Sequence, residues 1–162
     1  MTYPKTLTII ATWQRPESLE RALASLLGEP TDVIVVGMGI SDRVKKDFTR
    51  AFKLLDKELI IIEDEISHTK ARNKGIEYGL EHGYNYLFFM DDDNVVTSGY
   101  IANLVNILNN YNDIFAASGL IQTYGLEKEK HYKQWREFRA GAFKETKAQR
   151  IYIHNKILYI TE

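Results

Sequence analysis

The chain has 162 residues, 44% of them hydrophobic and 27% charged, with a formal net charge of −1. That is the size of one domain with a sizeable core, and the balance gives no global pull toward nucleic acid or acidic membranes. With no cysteine, disulfides, thiolate metal sites and cysteine nucleophiles are excluded.

The N-terminus MTYPKTLTII lacks an apolar h-region and a small-residue cleavage site, so no signal peptide is expected. No apolar run approaches the roughly 20 residues needed to span a bilayer. A soluble, cytoplasmic protein is the expectation.

Thr6–Ile10 reads as a first strand. Leu19, Ala22, Leu23, Leu26 and Leu27 then recur at helical spacing, with Pro16 in the first turn and Gly28 past the end. Val33–Val36 is a second strand, apolar throughout as a strand buried on both faces should be. Val44, Phe48, Ala51, Phe52 and Leu55 predict a second helix, with Asp42 as its cap. Leu59–Ile62 is a third strand.

A third helix is predicted over 67–82. Ala71, Gly75 and Gly79 lie four apart, leaving one face bare enough to lie close against a sheet. Gly83 stops it, and residues 84–90 form a fourth strand. Ile101, Leu104, Val105 and Leu108 mark a further helix, and Ile114–Ala117 a further strand. Strands alternating with helices predict an α/β fold whose sheet is mostly parallel and flanked by helices.

Beyond about residue 121 the chain changes character. Residues 127–162 carry nine Lys/Arg against five Asp/Glu, and the stretch HYKQWREFRAGAFKETKAQR is basic and aromatic. Tyr132, Trp135 and Phe138 are three apart, as core residues often are, and Arg136 and Arg139 share their stretch. IYIHNKILYIT is strand-like. One domain spanning 1–162 is expected, with an α/β part over 1–121 and a short C-terminal part over 122–162. The basic part is compatible with anionic donors, lipid-phosphate acceptors or peripheral contact with a membrane surface.

The sharpest chemical feature is FFMDDDNVV, where Asp91, Asp92 and Asp93 follow an apolar strand. Adjacent carboxylates repel unless a cation is shared among them, although an Asp cluster is also an ordinary solvated turn. In parallel α/β sheets, ligands bind beyond the carboxyl ends of the strands. Carboxylates there suit Mg²⁺ or Mn²⁺, which take oxygen ligands and bind phosphates. Two other segments reach the same sheet edge. ATWQRPESL leads from the first strand into a helix whose N–H groups can take an anion. HTKARNKG places Lys70, Arg72 and Lys74 around Asn73 at a helix start, where cations oppose the helix dipole. The four histidines, His68, His82, His131 and His154, show no zinc-ligand spacing.

TLTIIATWQRPESLERALASLL, then a β-run, then ARNKGI, then an apolar strand ending in D-x-D, together resemble the family 2-like GT-A glycosyltransferases. The resemblance covers residues 5–125, about three quarters of the chain, and is similar to short archaeal-virus members of that type. It implies a GT-A fold, a Rossmann-like nucleotide-diphospho-sugar transferase architecture. The implied activity is metal-dependent transfer of a sugar to an acceptor hydroxyl on a glycan, protein or lipid-linked acceptor, inverting in preference to retaining.

Carried over by position, the Ala11-Thr12-Trp13-Gln14-Arg15 segment would lie along the base and ribose, with Gln14 where the family has Asn. Arg72, with Asn73 and Lys74 nearby, would contact the nucleotide or its diphosphate. Asp91 would reach the ribose, and Asp93, with Asp91, would hold a Mn²⁺ or Mg²⁺ ion bridging the diphosphate. Asp92 stands between them on the donor side.

Two departures are plain. The family's acidic pair after its second strand is here Gly37-Met38-Gly39, with no carboxylate before Asp42. The glycines, Gly37 first, would let a backbone group approach the ring. Only 69 residues follow Asp93, and Glu137, Glu145 and Glu162 have no context marking a catalytic base. The chain is therefore read as a fragment or an abbreviated member.

Two alternatives stand beside this reading. One is a non-catalytic nucleotide-sugar-binding module. The other is a haloacid-dehalogenase-type phosphatase with Asp91 as nucleophile and Asp93 as acid/base, although that motif usually stands near the start of its chain. An EF-hand fails because Val95 and Val96 occupy positions that need an oxygen ligand and a glycine.

Overall fold

The computed structural model describes residues 3–111, 114, 116–119, 150–154 and 157–161. The chain forms two compact units, Met1–Asn106 and Ile107–Glu162. The first unit holds β1 (Thr6–Trp13), α1 (Pro16–Leu26) and β2 (Asp32–Met38), then a π-helical turn (Val44–Phe48) running into α2 (Thr49–Leu54). It continues with β3 (Leu59–Glu63), α3 (His68–Glu81), β4 (Tyr86–Asp91) and the start of α4 (Tyr100–Asn110).

Its four strands are all parallel, in the order β3-β2-β1-β4. The chain steps outward from β1 to β3, then crosses back to place β4 on the other side of β1. The topological switch therefore lies between β1 and β4, where a crevice opens beyond the carboxyl ends.

Alternation along the central strands feeds two cores. Ile10, Val33, Val35 and Met90 pack with Leu19, Leu23, Phe52, Ile101 and Val105, so α1, α2 and α4 share one face. Leu7, Ile9, Ala11, Ile34 and Val36 pack with Ala71 and Tyr84 on the face of α3. The small-residue stripe of α3 serves the purpose its spacing predicts. A Cβ on Gly75 would sit 2.4 Å from Ile9 Cγ2, and one on Gly79 would sit 2.5 Å from Leu87 Cδ2. The helix thus lies against β1 and β4 at a distance that only glycine permits.

The second helix starts differently from expectation. Ser41, not Asp42, is its cap: the Ser41 hydroxyl accepts from the Val44 N–H at 3.2 Å and donates to Glu20 at 2.8 Å. A hydroxyl can do both, and so ties the helix start to α1. At the other end of the first unit, Glu29 is buried and accepts from the backbone N–H groups of Gly99 and Ile101 at 2.5 and 2.8 Å. A carboxylate from the α1–β2 turn thereby caps α4 and pins the β4–α4 connection, helped by Ser25 on Val96 N–H.

In the second unit, β5 (Ala116–Ser118), β6 (Arg150–His154) and β7 (Ile157–Thr161) form a sheet of order β5-β7-β6. The strand-like C-terminal sequence forms β6 and β7, which are antiparallel, and β5 runs parallel to β7. The predicted strand at 114–117 therefore belongs to this sheet. The basic aromatic stretch at 131–149, with Glu137 and Glu145, and the terminal Glu162 lie outside the described residues. No helix among the described residues is long and apolar enough to cross a membrane.

Candidate nucleotide-diphosphate site

The ends of β1 and β2 are joined by backbone. Gln14 takes a left-handed conformation (φ 52°), and its N–H donates to Met38 carbonyl at 2.9 Å. A Cβ on Gly37 would fall 1.9 Å from the Thr12 carbonyl oxygen, and one on Gly39 would fall 2.6 Å from Gln14 Cα. The space a side chain would need at Gly37 is filled by β1. Its glycine answers to that packing, and no side chain can project there. Pro16 opens α1 with its missing N–H at a position that has no helical partner, and Arg15 before it reaches Asp92 and Asp93.

The three aspartates divide by strand parity. Asp91 pairs with Ala11 in the β1–β4 register and faces the α3 side. There Arg72 Nη2 donates to its Oδ1 at 2.7 Å, and His68 Nε2 lies 3.9 Å away. Asp92, one residue on, follows Met90 to the other face and is buried, 6% exposed. Its Oδ2 accepts from the Thr12 hydroxyl at 2.8 Å, and its Oδ1 lies 3.5 Å from Arg15 Nη1. Asp93 emerges again, half exposed, with Arg15 Nη1 donating to it at 3.1 Å. Each carboxylate thus meets a cation or a hydroxyl, which is how three like charges are held together.

Beside Asp91 lies a cleft of about 440 Å³ lined by Ala11, Thr12, Trp13, Glu65, Ile66, Ser67, His68 and Ala71. Trp13 stands there half exposed. Ser67 starts α3 by accepting from the Lys70 N–H at 3.4 Å, so the N-terminus of α3 opens onto the cleft. Two of the three cations that oppose the α3 dipole are compensated within the fold, Arg72 by Asp91 and Lys74 by Asp64. Arg72 Nε is out of reach of solvent and has no acceptor among the described residues, a cost of about 1–3 kcal/mol.

Of the residues singled out by sequence, the structure brings together Ala11, Thr12, Arg15, Arg72, Asp91, Asp92 and Asp93. Gln14 is exposed at the β1 turn. Asn73 is also exposed, about 200° around α3 from the inward Ala71. Sequence reading missed Glu65, His68 and Ser67 as cleft residues. Their signal was the run EDEISHTKARNKG, in which acids close a strand just before a helix.

Residues 8–160 match the family model described as Glycosyl transferase family 2, nearly the whole chain. The chain belongs to glycosyl transferase family 2. The match reaches beyond the 5–125 span of the sequence resemblance and takes in the C-terminal strands, and it displaces the phosphatase alternative. No curated protein matches the chain significantly by sequence.

Among solved structures, the family 2 domain is similar to the crystal structure of S. aureus TarS 1-349. The TM-score is 0.53 at 15% identity, over 76% of this chain and 38% of that one. The same values hold for TarS 1-349 in complex with UDP. Against the crystal structure of S. aureus TarS the TM-score is 0.55 at 15% identity, over 76% of this chain and 23% of that one. These similarities establish the GT-A-like α/β fold. The chain spans well under half the length of these three structures.

The described residues contain no group of three or more His, Asp or Glu able to enclose a metal, but Asp91 and Asp93 both present half-exposed oxygens at one edge. A pair of carboxylates with open positions fits Mg²⁺ or Mn²⁺ that brings phosphate oxygens as its remaining ligands.

Proposed function

We propose that this domain binds a nucleotide-diphosphate sugar at the β1–β4 edge and transfers the sugar to an acceptor hydroxyl. The observation that carries the reading is the convergence, at one topological switch point, of the cleft, two guanidinium groups and the Asp91–Asp93 cluster. The cleft would take the nucleoside. Arg72, which reaches Asp91 through Nη2, would offer the Nη end of its guanidinium to an oxygen of the ribose or diphosphate.

Asp93 and Asp91 would hold Mn²⁺ or Mg²⁺, which when bound would offset the charge that grows on the leaving diphosphate. Arg15 would then release Asp93 and turn to the phosphates, a planar fork suited to them. Asp92, bonded to Thr12 on the other face, would leave its two neighbours on the side that shares the ion. An inverting course needs a carboxylate to take the acceptor's proton. The acceptor would be a glycan, protein or lipid-linked hydroxyl.

Calorimetric titration with a panel of nucleotide sugars, with and without Mn²⁺, tests this reading. Metal-dependent binding in the natural chain and its loss in Asp93→Ala, with the melting temperature unchanged, is the expected result. Binding that is equal in the two proteins would overturn it.

A further inference from the structure

Glu63, Asp64 and Glu65 close β3 in succession, and their fates differ. Glu63 accepts from Lys45 at 2.8 Å, and Asp64 is paired with Lys74. Glu65 lines the cleft, exposed, and has no ion-pair or hydrogen-bond partner among the described residues. Among the described lining residues Glu65 alone bears a carboxylate, and no cation is paired with it, whereas Asp91 nearby is held by Arg72.

The cleft's other polar side chains are engaged. The Thr12 hydroxyl donates to Asp92, and the Ser67 hydroxyl accepts from Lys70 N–H. His68 lies beside Asp91. What remains is an apolar floor of Ala11, Ile66 and Ala71, a half-exposed indole at Trp13, and the free carboxylate of Glu65. A flat aromatic surface with one acceptor-only group at its edge is a site for a stacked base that donates to that acceptor. The carboxyl end of β2 cannot supply a carboxylate instead, because β1 backbone fills the side-chain space at Gly37.

We infer that Glu65 selects the donor's base, accepting from a ring N–H of the kind that uracil and guanine present. This rests on the donor-site reading above. Cytosine and adenine turn a ring nitrogen lone pair toward the same position, where a carboxylate repels it and is left unpaired.

The test titrates the full chain with UDP, GDP, CDP and ADP at fixed Mn²⁺, alongside Glu65→Ala and Glu63→Ala. The natural chain should bind UDP or GDP about tenfold or more tighter than CDP and ADP, since a site built to pair an N–H rejects analogues that lack it. Glu65→Ala should cut that preference to below about threefold, weakening UDP or GDP while CDP affinity holds or rises as the repulsion is lifted, and Glu63→Ala should keep it. An undiminished preference in Glu65→Ala overturns the inference, and so does a natural chain that prefers CDP or ADP. Equal binding of all four overturns it alone, and binding of none removes the donor-site reading with it.

Discussion

Thr12→Val removes the hydroxyl that donates to Asp92 at 2.8 Å and keeps the side chain's shape. Asp92 is buried, so the carboxylate cannot turn to water for a replacement. Its remaining neighbour is Arg15 at 3.5 Å, a half-exposed guanidinium already shared with Asp93. A hydrogen bond to a charged group contributes about 1.5–3 kcal/mol, and the exposed ion pair offsets little of that loss. For a chain of this length each kcal/mol moves the melting temperature by about 2–4 °C, so the variant should melt about 3–12 °C lower. Urea denaturation followed by circular dichroism should show the same loss at an unchanged slope. Asp92→Asn retains an acceptor for the hydroxyl and should cost less than Thr12→Val. If Thr12→Val melts within about 1 °C of the natural chain, Asp92 is not held by Thr12 and its account as the anchor of the acidic triplet fails.

Gly75→Ala should destabilise by about 1–3 kcal/mol despite the helix-propensity gain of about 1 kcal/mol, because its Cβ meets Ile9. Gly28→Ala, in the turn after α1 with nothing within 4 Å, should be neutral or slightly stabilising, and thermal melts of the pair show that the loss at Gly75 comes from its clash and not from replacing a glycine as such. Glu29→Ala leaves the N–H groups of Gly99 and Ile101 without their acceptor and should cost about 3 kcal/mol or more, read by urea denaturation. Burial and the hydrogen bond to Asp32 push the Tyr84 phenol above its ordinary value of 10.0. The folded chain then keeps a proton that the unfolded chain releases. Stability should therefore be intact below pH 10 and fall as pH rises past it, more steeply than in Tyr84→Phe.

Much of this fold could be read from residue types. Val33–Val36 is apolar at every position because both faces of β2 are covered, and the Ala71-Gly75-Gly79 stripe announced a helix pressed onto the sheet. The acidic triplet was legible as a group but not in its directions. Its phase is that of β4, and the run YLFFM is apolar on both faces, so alternation left no mark by which to see that Asp92 turns inward. The cap at Ser41 was hidden by Asp42 beside it, since both residue types suit a cap and only the chain's path chooses between them. Glu65 was illegible for another reason. Which of three neighbouring acids stays unpaired depends on where Lys45 and Lys74 fall in space, and sequence spacing does not carry that.

The central claim is that the β1–β4 edge takes a nucleoside diphosphate with its metal. Paramagnetic broadening of ¹⁵N-labelled protein by substoichiometric Mn²⁺, with UDP or GDP present, reads that placement directly. The account predicts loss of amide signals around 11–15, 67–72 and 91–94, absent in Asp93→Ala. Broadening centred elsewhere, or unchanged in Asp93→Ala, would contradict it.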